Sequence, residues 1–218
     1  MTSRNKRRIY ITIHHRGAKS LGKNRTDLHL SAFHWGILLA PKAFDGGSND
    51  LSTDCTKTTN GTTNGTVLYD VTNSLMPFPD DQLNTSAAWY FRSRRNVNLR
   101  RDHNLHIIGR IMIGKVPAQI SDAEIETVLA DEVPLPDKGA VPPEDCVTWT
   151  RNAVRCLQEE RVMVVAGAGP GKSWFDVWVF MEWCLGYADR CLAELDPLRV
   201  CEYPLSGVKG RGWRGRLR

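Results

Sequence analysis

The chain has 218 residues, of which 41% are hydrophobic and 24% charged. This balance excludes an intrinsically disordered chain and is enough for one real core, so we expect a single domain over residues 1–218. The net charge of +5 is clustered: Arg4, Lys6, Arg7 and Arg8 at the start, Arg92, Arg94, Arg95, Arg100 and Arg101 in the middle, and Lys209 to Arg218 at the end. Such clusters point either to a polyanionic partner or to solvated tails and one basic loop.

Residues 1–8 read as a basic tail, and residues 9–14 alternate around β-branched positions as a short strand. After a polar, Gly-containing connection, residues 30–40 (LSAFHWGILLA) predict a buried strand stopped by Pro41. Residues 44–65 are rich in Gly, Ser, Asn, Asp and Thr and predict a polar loop insertion. Further strands are expected over residues 66–71, antiparallel to the second, then 88–92 and 105–116. Ser121 and Glu124 form a capping box that opens a short helix to about Ala130. A Pro-rich connector leads to a helix over residues 145–160, with Trp149, Ala153, Cys156 and Leu157 on one face. Residues 175–195 form a third helix, apolar over most of its surface and expected to be buried. Residues 206–218 read as a basic tail. Strands first and helices afterwards predict an α+β fold, an antiparallel sheet packed on helices.

No segment has the apolar length of a secretory h-region or a bilayer span; the longest, residues 174–188, is broken by Asp176 and Glu182. The expectation is a cytoplasmic protein without a membrane partner. Its six cysteines would then be reduced thiols, and the sequons at Asn60, Asn64 and Asn84 unglycosylated.

Three residues could carry chemistry together. Cys146 opens a predicted helix, where free N–H groups and the positive end of the macrodipole favour a thiolate; the alternative is a small buried hydrophobe. His34 stands inside an apolar strand and needs a partner or a task, either as general base to a thiol or as a satisfied core histidine. Asp70 interrupts the next strand, where it could orient an imidazole or start a turn towards Asn73. Residues 166–173 (AGAGPGKS) satisfy the permissive phosphate-loop pattern with Lys172 and Ser173. The chain after them lacks room for the parallel sheet and acidic strand that motif needs, so a Gly-rich loop is the simpler reading. Cys184, Cys191 and Cys201 lack paired metal spacing, and neither His14-His15 nor His103 with His106 has a companion ligand set.

The order His34-Trp-Gly-Ile on a strand, an acidic residue on the next strand and a later Cys opening a helix resembles circularly permuted papain-like enzymes. The lecithin:retinol acyltransferase relatives are the nearest of these in motif. The runs Tyr69-Asp-Val, Gly109-Arg-Ile, Val133-Pro-Leu-Pro and Asp145-Cys-Val-Thr-Trp further resemble small fungal proteins of largely unassigned function, to which we relate the fungal arginine-containing cyclodipeptide synthases. The likeness spans about His34 to Trp149. It implies a thiol acyltransferase with Cys146 as nucleophile, His34 as base and Asp70 as orienter, and no cofactor or metal. It also implies arginyl-tRNA as acyl donor and a second aminoacyl group as acceptor, giving a cyclic dipeptide of secondary metabolism. Arg92, Arg94, Arg95, Arg100, Arg101 and the C-terminal tail would contact that tRNA. A papain-like thiol hydrolase (peptidase or amidase) and a non-catalytic RNA- or protein-binding module are the other readings.

Overall fold

The computed structural model describes residues 7–41, 65–73, 88–99, 102–165, 176–194 and 200–202. The two tails but for Arg7 and Arg8, nearly all of the 44–65 insertion, the sequon residues Asn60, Asn64 and Asn84, Arg100, Arg101 and the 166–173 motif lie outside these residues.

Five long strands run antiparallel in the order β4-β3-β2-β1-β5: β1 Arg7–His15, β2 Phe33–Pro41, β3 Val67–Thr72, β4 Tyr90–Arg95 and β5 Ile107–Lys115. Two short strands also pair with β5, β6 Val164–Val165 antiparallel and β7 Val200–Glu202 parallel. Helices α1 Gly22–Leu28, α2 Asp122–Thr127, α3 Cys146–Glu159 and α4 Val177–Glu194 complete the described elements. The α+β class read from the sequence is therefore the observed one.

The register divides the sheet into two faces, because successive side chains along a strand point to opposite sides. Ile11 of β1 stands beside Ile37 of β2 and Ile111 of β5, and Ile37 stands beside Tyr69 of β3. This face carries the main core with Trp149, Ala153 and Leu157 of α3 and Phe180, Cys184 and Tyr187 of α4. On the other face Tyr10, Leu38, Leu68 and Met112 form a second cluster, with Val97, Leu99 and Leu105 from the connection between β4 and β5. Gly109 sets how closely α4 approaches β5: a Cβ there would lie 2.5 Å from the Cys191 sulfur.

Several boundaries differ from the sequence expectation. The strand placed at residues 30–40 begins only at Phe33, after a 3₁₀ turn over His29–Ala32. The Leu30 carbonyl is taken by the Trp35 indole at 2.8 Å, and the Ala32 carbonyl by the Ser20 hydroxyl at 2.6 Å, so neither serves a ladder. The strand expected over 88–92 lies at Tyr90–Arg95, and α1 occupies part of the connection that carried no apolar periodicity. The capping box is present, with the Glu124 amide donating to Ser121 Oγ at 3.1 Å and the Ser121 amide to Glu124 Oε2 at 2.6 Å. Its helix closes in a π turn over Val128–Glu132. Helix α4 is not buried all round: Trp178 and Val179 are exposed while Phe180, Met181, Cys184 and Cys191 are buried. Its 18 residues make several turns, and only one side of a helix that length can face a single sheet.

Candidate active site

The second face of the sheet holds a row of polar side chains among apolar ones. His14 of β1 is the cross-strand partner of His34, and Thr12 is that of Gly36. Asp70 of β3 is the partner of Arg92 on β4. All these positions share one parity of the pleat, so the row crosses four strands on the side away from the helices.

Asp70 is fully buried and organises the row. Its Oδ1 accepts from Arg92 Nε at 2.8 Å; its Oδ2 accepts from Arg92 at 2.7 Å, Arg94 at 2.9 Å and His34 Nε2 at 2.8 Å. Burial alone would raise this carboxyl, but the forked bond from Arg92 and the bond from His34 hold it well below the usual carboxylate range. An ionised carboxylate can only accept, so His34 Nε2 carries a proton.

His34 and Cys146 line the same cavity, and Cys146 acts on the His34 charge. Burial would lower the pKa of this imidazole, but hydrogen bonds to Asp70 and to the Cys146 sulfur outweigh it and raise the group to about 9. His34 is thus an imidazolium at neutral pH, beside a carboxylate and a sulfur. Cys146 reaches it from the first position of α3, with its sulfur 3.9 Å from the carbonyl of Phe33, the residue before His34.

Asp145 caps that helix. Its Oδ1 accepts from the Val147 amide at 2.8 Å and the Thr148 amide at 3.4 Å, and its Oδ2 accepts from the Ser31 hydroxyl at 2.5 Å. The Trp149 amide donates to the Asp145 carbonyl. The Cys146 amide is the N–H of this first turn that Asp145 does not take. Cys156, midway along the same helix, is only partly buried, and burial followed by Glu160 and Glu159 pushes its thiol up.

His14 stands edge-on to His34, with ring centroids 5.2 Å apart. Its Nδ1 donates to the Leu105 carbonyl at 2.7 Å, which leaves Nε2 to accept from the Thr12 hydroxyl at 2.9 Å. Burial, and then the neighbouring His34 charge, depress this group to about 3, so His14 is held neutral.

Cys146, His34 and His14 open onto a cavity of about 370 Å³ with Arg16, Trp89, Arg92 and Arg94 on its walls. Gly36 gives the row its room: a Cβ there would lie 3.0 Å from the Tyr69 carbonyl, 3.1 Å from Thr12 Oγ1 and 3.3 Å from Asp70 Cβ. Among the described residues no three His, Cys, Asp or Glu side chains converge as a metal set.

The structure thus brings together all three residues singled out from the sequence. Of the middle basic run, three arginines are described, and each has an acidic partner within the fold. Arg92 and Arg94 turn inward to Asp70, and Arg95 pairs with Glu126. Thr12 and Trp89 were missed altogether, and His14 was weighed only as a metal ligand beside His15. Their signal was available only as polar or indole groups in apolar strand surroundings, with no register to join them.

A family model matches residues 6–178 and so covers every side chain of the row and both ends of the cavity. The chain belongs to the DUF6914 family. That family is described as one of unknown function. No curated protein and no solved structure matches the chain. His34, Asp70, Arg92, Arg94 and Cys146 lie on four separate elements of this chain, all within the matched residues.

Proposed function

We propose that this chain is a cysteine-dependent acyltransferase in which Cys146 is the nucleophile, His34 the proton carrier and Asp70 the group that orients and charges the imidazole. The observation that carries the reading is the His34 ring, bonded to Asp70 through Nε2 and sharing the wall of an open cavity with Cys146, which acts on its charge. A permuted papain-like arrangement agrees with the chain order His34, Asp70, Cys146 and with α3 packed on an antiparallel sheet.

The Cys146 thiolate attacks the carbonyl carbon of an activated acyl donor, and the carbonyl electrons move to oxygen, with the Cys146 amide near the developing charge. As the tetrahedral species collapses, the bond to the leaving group breaks and the imidazolium proton passes to it. The enzyme now holds a thioester at Cys146 and a neutral His34. An amine or water gives its proton to His34 as it attacks the thioester, and the sulfur leaves as thiolate opposite a restored imidazolium. Arg92 and Arg94 keep Asp70 ionised throughout. An arginyl-tRNA donor, the reading the sequence resemblance offers, draws no support from the β4 arginines, which are engaged with Asp70 and Glu126. The proposal is therefore confined to the acyl-transfer step.

The test is turnover of aryl esters and thioesters by the wild type and by Cys146→Ala, with and without an added primary amine. Turnover that needs Cys146 and yields the amide supports a transferase. Free acid alone makes the protein a thiol hydrolase on the same site, and turnover unchanged in Cys146→Ala removes the thiol mechanism.

A further inference from the structure

The cavity beside Cys146 has walls of one charge. Arg16, Arg92 and Arg94 line it, and no Asp or Glu does. Asp70, bonded to Arg92 and Arg94 from behind, is a single carboxylate against three guanidiniums. Asp102 also acts on Arg94, while its own Oδ2 accepts from the Asn98 amide at 2.7 Å.

Two residues that line the cavity also carry buried donor atoms. Arg94 Nε and Trp89 Nε1 are buried without a partner among the described residues. A buried donor without a partner costs about 1–3 kcal/mol, and more when it belongs to a charged group, so two on residues that line one cavity need a reason. Arg16 is anchored through one amino group, which donates to the Ser31 carbonyl at 2.8 Å. The anchor holds the guanidinium at the cavity. A ligand group that only accepts hydrogen bonds and carries negative charge answers both the excess charge and the unused donors. A cationic group would meet repulsion from three guanidiniums and offer no acceptor.

We infer that this cavity binds an oxyanion group of the acyl donor, a carboxylate or a phosphate, through Arg16, Arg94 and Trp89, and so selects anionic donors for Cys146. The inference rests on the acyl-transfer reading for the word donor, but the binding of the anion does not. A carboxylate would belong to the acyl part and a phosphate to the leaving group; the recognition chemistry is the same.

Two experiments separate the inference from the reading beneath it. In the first, melting temperature and calorimetry on the Cys146→Ala protein follow binding of glutarate, adenosine monophosphate and the neutral glutaramide, so no chemistry is needed. Either anion should bind at least about tenfold more tightly than glutaramide, as expected for charge-assisted bonds. Trp89→Phe and Arg16→Gln should each erase most of that preference. Tighter glutarate assigns the carboxylate, and tighter adenosine monophosphate the phosphate. Equal binding of all three, or binding of none, overturns the inference. In the second, wild-type kcat/KM is compared for p-nitrophenyl hemiglutarate and p-nitrophenyl valerate, with Cys146→Ala as control. A Cys146-dependent rate about 10- to 100-fold higher for the anionic ester is expected. Equal Cys146-dependent rates overturn the inference alone. Anion binding without any Cys146-dependent turnover leaves the anion site standing and overturns the acyl-transfer reading.

Discussion

Replacing Asp70 by Asn keeps the shape of the side chain and removes its charge. Four hydrogen bonds between 2.7 and 2.9 Å converge on this fully buried carboxylate from Arg92, Arg94 and His34. Removing one partner of a buried ion pair costs about 3–5 kcal/mol, because the opposite charges stay behind uncompensated. Here the Arg92 and Arg94 side chains are 23% and 29% exposed, so water can partly solvate them and the cost falls near 3 kcal/mol. For a chain of this size that lowers Tm by roughly 6–12 °C. The second effect is on His34. Its pKa near 9 depends on Asp70 and Cys146, so Asp70→Asn moves the imidazole midpoint down, and acyl transfer at neutral pH falls with the imidazolium fraction. NMR titration of the His34 ring reads the midpoint, and urea unfolding reads the stability. A midpoint that stays near 9 in Asp70→Asn, together with unchanged stability, would refute the role given to the carboxylate.

The pH dependence of stability should peak near the ordinary histidine pKa of about 6.5. His14 has a folded pKa of about 3, so its contribution is complete above 6.5 and is lost as pH falls from there towards 3, by up to roughly 5 kcal/mol. His34 has the opposite sign: its contribution is complete below 6.5 and is lost as pH rises through about 9. Urea unfolding between pH 4 and 10 checks both limbs, and a flat acid limb in the wild type would contradict the buried neutral His14. Gly36→Ala should cost about 1–3 kcal/mol and slow acyl transfer, because its Cβ presses on the Tyr69 carbonyl, Thr12 and Asp70; unfolding and kinetics on one preparation read both. Ser121→Ala should cost about 1 kcal/mol through loss of the capping box while leaving turnover unchanged, since α2 takes no part in the cavity.

The strands and the two longer helices were legible because their apolar positions repeat at two residues or at three and four, and the short helix because Ser121 and Glu124 form a capping box. His34 and Asp70 stood out for the same reason, each a single ionisable group inside an apolar strand. Cys146 stood out because it lies at the opening of a predicted helix. What could not be read was register. His14 and Thr12 join His34 only because β1 and β2 pair with His14 opposite His34. The alternation Arg92-Ser93-Arg94 already placed two guanidiniums on one side of a strand, but without the partner strand nothing showed that Asp70 lay there. The basic run therefore read as surface. The cavity charge depended on the same information, since Arg16 and Arg94 are 78 positions apart in the chain and meet only across the folded sheet.

The central claim, that Cys146 carries the acyl group, is tested most directly by intact-mass analysis in a single turnover. Protein mixed with a short acyl thioester and quenched in acid should gain one acyl mass, and peptide mapping should place it on Cys146. The same adduct should be absent from Cys146→Ala and strongly reduced in His34→Gln. Turnover of that thioester without any adduct at Cys146, or an adduct on another residue that survives in Cys146→Ala, would contradict the account.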